Sequence, residues 1–452
     1  MLDESELKPY LTHSLRTDPM GIKIARIMDA ALTAVDPYPA VMKGLNNLLP
    51  EEYLSKFNRI FLVGAGKAGY PMAEAAYSYL GDRISAGIVI VKDGYANKPR
   101  LSNKIRIIEA SHPIPDQRGV DAADEIIRLL KDTQPGDLVI CVISGGGSAL
   151  LVSPVPGVSL GEIQGLTEYL LASGATINEI NTLRKHLDQL KGGRLANRAA
   201  PAEVFSLILS DVVGDHLEVI ASGPTTPDPS TYQDALDILA NYNLLELTAD
   251  AIQQHLVKGQ QGKIKETPKS GELFFSKTHN HIVASNRTAA LAALSQAETE
   301  GFKHLCLTNY LQGEARHAGQ FLGTILRQLA NFNQPIPRPA CIIAGGETTV
   351  TIKGDGIGGR NQELALGSVG ELDGLEKVFL ITLATDGGDG PSNAAGAVVT
   401  GNTLSRAKSL NLDPLAFLEN NDAYNFFLPL DDLIRIGPTR TNVNDLTFLF
   451  AF

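Results

Sequence analysis

Leu138-Val139-Ile140-Cys141-Val142-Ile143 runs directly into Ser144-Gly145-Gly146-Gly147-Ser148. An unbroken apolar run of that length, mostly β-branched, lacks the in/out alternation of a half-exposed strand. It predicts a strand buried on both faces of a parallel sheet, ending in a glycine-rich turn. The same unit stands upstream, where Ile60-Phe61-Leu62-Val63 meets Gly64-Ala65-Gly66-Lys67-Ala68-Gly69 and a helix carries on through Tyr79. Ile88 to Val91, Ile105 to Ile108 and Phe205 to Leu209 read as further strands, and Asp116 to Lys131 as a helix entered through a Pro/Asp turn. Strands alternating with helices predict right-handed βαβ units and a doubly wound, mainly parallel sheet.

A chain of 452 residues exceeds what one core holds. The polar stretch Lys258 to Gly271 is the best linker candidate, and an α/β pattern restarts at His281-Ile282-Val283-Ala284. The expectation is therefore two different α/β domains, residues 1–265 and 266–452. Cys341 to Ala344, Val378 to Leu383 and Phe448 to Phe452 are strands of the second, and Asn331 to Pro339 is a long loop within it.

The formal charge of −11 and the absence of Trp argue against nucleic acid or an anionic membrane as partner. Cys141, Cys306 and Cys341 are isolated in apolar runs, which predicts buried thiols rather than disulfides or a metal site. The opening Met1-Leu2-Asp3-Glu4-Ser5-Glu6 is acidic and unlike a secretion signal, and no apolar run is long enough to span a bilayer. A cytoplasmic protein is expected, with a homodimer as one assembly the sequence allows.

At least four apolar strands empty into loops rich in Gly, Ser, Asp or Asn: 64–69, 144–148, 345–347 and 386–390. In open α/β sheets ligands bind beyond the carboxyl ends of strands, where glycines let backbone N–H groups approach an anion. Any one of these loops can equally be a tight βα turn. Gly64-Ala65-Gly66-Lys67-Ala68-Gly69 also satisfies G-x-G-x-x-G, with Asp93 beyond the next strand, so a dinucleotide site competes. Against it, Lys67 inside the turn places an ammonium where a bound phosphate would lie.

Arg184, Lys191, Arg194 and Arg198 recur at helical intervals and make a candidate anion clamp; a solvated helix face is the plainer reading. Gly345-Gly346-Glu347 and Gly358-Gly359-Arg360-Asn361-Gln362-Glu363 surround a fixed positive charge with flexible backbone. Asp386 and Asp389 form a carboxylate pair of the kind that suits Mg²⁺, although Asp and Gly are also ordinary turn residues. His112, between Ser111 and Pro113, is a second-rank catalytic candidate. No Walker A, H-E-x-x-H or G-x-S-x-G motif occurs.

These motifs, taken in chain order, resemble one family over nearly the whole chain. They are Val63 to Ala68, Ser111-His112-Pro113, Ser144 to Leu150, the expected helix Asn181 to Ala196, Ser210 to Asp215, Ala221 to Thr225, Gly345 to Thr349, Gly359 to Glu363, Thr385 to Pro391 and Thr441 to Leu446. The chain resembles the glycerate 2-kinases that carry a C-terminal MOFRL domain. Small departures at Gly388, Ser392-Asn393 and Arg440 bear on substrate preference rather than on reaction type.

The resemblance implies ATP-dependent phosphorylation of D-glycerate on its 2-hydroxyl, with Mg²⁺. It also implies a Rossmann-like first domain and an active site in the inter-domain cleft. Its phosphate-transfer residues map onto Lys67 and Arg360. Within that frame Gly64, Gly66 and the loop Ser144, Gly145, Gly146, Gly147 and Ser148 are expected to bind phosphate or substrate, along with Arg184, Lys191, Arg194, Glu347, Asn361, Glu363 and Asn444. Asp386 and Asp389 are expected to hold Mg²⁺, and Asp211 to act as base or metal partner. An NAD(P)H-dependent hydroxypyruvate or tartronate-semialdehyde reductase is the main rival, and a small-molecule sensor on the same scaffold is the non-enzymatic one.

Overall fold

The computed structural model describes residues 6–97 and 99–452. The acidic opening read at residues 1–5 thus lies outside the described residues. Thirteen strands form two sheets. The first contains β1 (Arg59–Ala65), β2 (Ile84–Lys92), β3 (Arg100–Ser102), β4 (Ile105–Ala110), β5 (Asp137–Ile143), β6 (Glu203–Leu209) and β7 (Thr278–Ala284). Their order is β3-β4-β2-β1-β5-β6-β7. β4-β2-β1-β5-β6 is parallel throughout, and the short β3 is paired antiparallel on β4. From β1 the chain winds outward to β2 and β4 on one side, then returns to lay β5 and β6 on the other. The switch in direction falls between β1 and β5, so the turns after those strands lie side by side.

β1 and β5 are buried almost from end to end, as their unbroken apolar runs require. Helices such as Gly69–Leu80 and Gln117–Leu130 supply the crossovers. The second of these starts where Asp116 caps it by accepting from the Gly119 amide. Val63, Cys141, Ile126 and Leu130 meet in one fully buried cluster, and each large side chain of this kind contributes about 1.5–3 kcal/mol.

The second sheet contains β8 (Lys303–Leu311), β9 (Ala340–Gly346), β10 (Val378–Ala384), β11 (Gly396–Thr400), β12 (Leu433–Ile434) and β13 (Asp445–Ala451). Its order is β12-β11-β10-β13-β9-β8, antiparallel except between β8 and β9. β13, the end of the chain, is inserted between β9 and β10. A fully buried cluster including Leu322, Ile342, Leu380, Phe426 and Leu449 forms this core.

Two compact units result among the described residues: residues 37–283, and residues 6–36 together with 284–452. This differs from the expected division at residue 265 in two ways. The helices His13–Thr17 and Gly21–Thr33 belong with the C-terminal unit. Ser14 explains part of it: its N–H and its hydroxyl both donate at 2.9 Å to the buried carboxylate of Asp432. The supposed linker is likewise tied down within the first unit. Glu266 accepts from Tyr232 N at 3.0 Å and meets His186 Nε2 at 2.9 Å, while Lys269 Nζ donates to Asp228 O at 3.0 Å. Its Gly, Lys and Pro content reflects tight turns around buried partners.

Candidate active site

In the first unit the turns after β1 and β5 interlock. Lys67 N donates to Gly145 O at 2.8 Å, Ala68 N to Ser144 Oγ at 3.0 Å, and Ser144 N to Ala65 O at 3.2 Å. Gly66 is required by this approach, since a Cβ there would sit 2.1 Å from Ser144 Oγ. The amide of Gly66 is also taken, by Ile90 O at 3.1 Å, and that of Gly69 by Gly66 O at 3.0 Å. The G-x-G-x-x-G turn thus spends its N–H groups on the fold.

Around the second turn the candidate side chains gather. Gly146 has φ +82, and a Cβ on it would meet His112 Nε2 at 3.0 Å and Lys67 Cγ at 3.4 Å. On the other side, a Cβ on Gly145 would lie 2.1 Å from Asp211 Oδ2. Lys67, His112 and Asp211 therefore flank one glycine pair beyond the carboxyl end of β5. Burial, reinforced by the charges of Lys67 and Lys92, pulls the His112 imidazole down to about 4, so it is neutral at physiological pH. Ser148, at the far end of the turn, shares a hydrogen bond of 2.9 Å with Ser222 Oγ, which donates onward to Asn181 Oδ1 at 3.0 Å. Ala221, Ser222 and Gly223 all adopt positive φ there, a strained arrangement for the first two.

The basic stripe is resolved into separate roles. The expected continuous helix is broken: Ile177–His186 and Arg194–Ala199 are separate helices, with Gly192 and Gly193 at φ +56 and +80 between them. Arg194 Nη1 donates to Asp188 O at 2.7 Å and Arg198 Nε to Gln189 O at 2.9 Å, so both hold the intervening loop. Lys191 is buried, donating to Leu151 O at 2.5 Å and to Asp188 Oδ2 at 2.7 Å. Arg184 is different. Its guanidinium makes no hydrogen bond or ion pair with any described residue.

In the second unit Arg360 opens the helix Arg360–Leu372. Nε donates to Asp445 Oδ2 at 2.5 Å, Nη2 to Asp445 Oδ1 at 3.2 Å, and Nη1 lies 2.8 Å from Glu347 Oε1. Burial disfavours the guanidinium's charge, but Asp445 and then Glu347 outweigh it, and its pKa is raised. Asp445, at the start of β13, did not stand out in the sequence as a site residue. Its signal was its place in the Thr441 to Leu446 motif, which the side-chain chemistry alone did not single out.

Other expected ligands of this unit are also tied into the fold. Glu363 is buried and receives Arg316 Nε at 2.8 Å and Asn421 Nδ2 at 3.0 Å. Asn444 has φ +66 and accepts the Thr385 hydroxyl at 2.6 Å through its backbone carbonyl. Asn361 is buried, with its amide donating to Asp389 at 3.2 Å.

Asp386 and Asp389 do not form a pair aimed at one ion. Asp386 is exposed, whereas Asp389 is buried with Oδ1 accepting from Asn361 N and Oδ2 from Gln362 N at 2.9 Å. Asp389 thus caps the helix that Arg360 begins. Burial raises its carboxyl to about 6, against the lowering effect of those amides. Among the described residues no three His, Cys, Asp or Glu side chains converge as a metal site. The donor set does not fit a resident metal. No helix among the described residues is long and apolar enough to cross a membrane.

Comparison with known proteins agrees with this architecture. Residues 23–257 match a family model described as a domain of unknown function (DUF4147), and residues 340–445 match the MOFRL family. The chain is 42% identical to D-glycerate 2-kinase of Thermotoga maritima over 95% of its own length and 98% of that protein's. It is also 42% identical to a putative hydroxypyruvate reductase of Agrobacterium vitis, covering 94% of this chain and 92% of that one. A solved structure of the Thermotoga maritima glycerate kinase superposes with a TM-score of 0.88 at 42% identity, covering 96% of this chain and 100% of that one. The chain belongs to the glycerate 2-kinase family with a C-terminal MOFRL domain.

Proposed function

We propose that this protein phosphorylates D-glycerate on its 2-hydroxyl to give 2-phosphoglycerate, with ATP as donor and Mg²⁺ arriving on the nucleotide phosphates. The observation that carries this reading is the convergence of Lys67, His112 and Asp211 on the Gly145–Gly146 turn, at the switch point of the first sheet where α/β ligands bind. Phosphoryl transfer asks chiefly for positioning and charge neutralisation. Lys67 supplies a cation to the migrating phosphoryl group, and Arg360 is the second cation that the family resemblance assigns to that role. In the turn at 144–148 the amides of Ser144 and Gly147 are bonded to Ala65 O and Ser144 O, so Gly145, Gly146 and Ser148 supply the N–H groups for phosphate or carboxylate. Asp211 accepts the proton of the attacking hydroxyl, while neutral His112 adds no charge that would hold that oxygen back. Of the two carboxylates expected to face Mg²⁺, exposed Asp386 is the one with room to do so.

The reductase reading is favoured by the name given to the Agrobacterium vitis relative. Two observations weigh against it. A pyrophosphate at a G-x-G-x-x-G turn needs open backbone amides, and those of residues 66 to 69 are already bonded within the turns. The acidic residue that would take a ribose hydroxyl, Asp93, is held by Arg118 Nη1 at 2.7 Å and Nη2 at 2.8 Å. A two-arm assay on purified protein separates the readings. ADP release with D-glycerate and formation of 2-phosphoglycerate is expected. NADH or NADPH oxidation with hydroxypyruvate, and no ADP release, would make the chain a reductase.

A further inference from the structure

Beside Ser148 lies a cavity of about 280 Å³ whose walls are mostly apolar, with Ile114, Val152, Ile163, Leu171 and Leu187 among them. It lies wholly within the first unit. Three charged groups face into its inner part, and two of them cancel: Asp188 and Lys191 are buried and paired at 2.7 Å. Asp188 is further saturated by the amides of Ser153, Leu190 and Lys191. The third, Arg184, is partly buried and lacks any partner, and burial depresses its pKa. Glu168 stands exposed at the rim, out of ion-pair range of Arg184.

A guanidinium withdrawn from water without a counter-ion is costly, and nothing in the fold uses this one. Its planar fork matches a carboxylate. The cavity around it does not match a wholly polar ligand, because Ile114 and Leu171 expose 58% and 62% of their surface at its mouth. Those side chains gain from an apolar substituent, each buried methylene being worth roughly fourfold in affinity. Ser148 connects the cavity to the glycine turn where Lys67 and Asp211 stand.

We propose that Arg184 is the carboxylate anchor of the acceptor subsite, and that this cavity admits small monocarboxylates with a short branched apolar substituent as well as glycerate. The acceptor class is thus 2-hydroxy monocarboxylates at large, with the apolar substituent seated against Ile114 and Leu171. This inference rests on the kinase reading for the word acceptor, while the cavity's ligand chemistry stands apart from it.

The probe is isovalerate, which carries the carboxylate and the branched substituent without a hydroxyl to phosphorylate. Calorimetry on the full chain without nucleotide is expected to show isovalerate binding at least 10-fold tighter than acetate. Arg184→Gln is expected to weaken it about 30-fold or more, and Arg184→Lys to restore only part. The surface change Ile114→Ser guards against misfolding of the arginine variant, and should narrow the isovalerate-to-acetate ratio while leaving acetate unmoved. In the ADP-release assay isovalerate should compete with D-glycerate, raising its KM at constant kcat. Equal binding of acetate and isovalerate, or full isovalerate affinity in Arg184→Gln, would overturn the cavity's assignment while the kinase reading stands. Arg184-dependent binding without competition would overturn the acceptor role. Absence of ADP release with glycerate would instead mark failure of the kinase reading, with calorimetry still deciding what the cavity binds.

Discussion

Asp445 grips Arg360 from both sides of its carboxylate, Oδ2 taking Nε at 2.5 Å and Oδ1 taking Nη2 at 3.2 Å. The side chain expected to face a phosphoryl group is thus aimed by a residue on the final strand, inserted between β9 and β10. Two bonds in the plane of the guanidinium fix its orientation as one bond cannot. Nη1, directed to Glu347 at the more exposed edge, is the part of the fork left for exchange with an incoming anion.

Asp445→Asn keeps the shape but weakens both bonds, and a misdirected guanidinium costs rate more than binding. We expect kcat to fall roughly 10-fold with KM for glycerate little changed, read by steady-state ADP release. Arg360→Lys should lose far more of the rate than a conserved charge suggests, because lysine cannot span both Asp445 oxygens. An Asp445→Asn enzyme with wild-type kcat would show that the pairing is only structural.

Asp389 and Asp386 should separate cleanly. Removing the buried cap with Asp389→Ala exposes the first amides of the Arg360–Leu372 helix, costing about 1–2 kcal/mol in denaturant unfolding. Asp386→Asn, at an exposed site, should leave unfolding unchanged and raise the Mg²⁺ concentration needed for half-maximal rate. Loss of stability in the Asp386 variant with no effect on Mg²⁺ dependence would reverse the two roles.

His112 offers a direct probe of the glycine turn. With its pKa pulled down to about 4 by burial and then by Lys67 and Lys92, its ring should stay neutral from pH 8 to pH 5. The unfolded chain takes up that proton near 6.5, so the native state loses stability through this group as pH falls from about 6.5 towards 4. Removing a neighbouring positive charge raises the pKa, so in Lys67→Ala the His112 resonance should titrate at higher pH by NMR. An unshifted titration would mean that Lys67 and His112 do not share one electrostatic environment.

Lys191 tests whether a basic residue in the stripe belongs to the framework. Lys191→Met leaves Asp188 buried without its cation, a loss of about 3–5 kcal/mol. With Asp188 left uncompensated in the cavity that holds Arg184, the KM for glycerate should rise while kcat per folded molecule holds at a temperature where the variant remains native, measured against its folded fraction by circular dichroism.

How much of this was legible follows from what each signal depends on. Continuous apolar runs such as Leu138 to Ile143 and Val378 to Leu383 announced buried strands because burial on both faces leaves no other pattern. The doubly wound, mainly parallel character of the first sheet followed from alternation with helices. Long-range partnerships were not legible. Nothing local in Ser14 says that Asp432 holds it, so the attachment of residues 6–36 to the C-terminal unit was missed. The cations at 184–198 shared a helical spacing, yet Gly192 and Gly193 at positive φ end that helix and send Lys191 and Arg194 inward. Asp389 read as a metal ligand because a carboxylate in a glycine turn looks the same whether it faces an ion or a helix end.

The rate of 2-phosphoglycerate formation by wild-type and Lys67→Ala protein, at saturating ATP, Mg²⁺ and D-glycerate, shows whether Lys67 drives phosphoryl transfer from ATP to the 2-hydroxyl of glycerate. The wild type should form 2-phosphoglycerate, and the variant should lose about 10²–10³ in rate. A variant within a few-fold of wild type, or a wild type that forms no 2-phosphoglycerate, would contradict it.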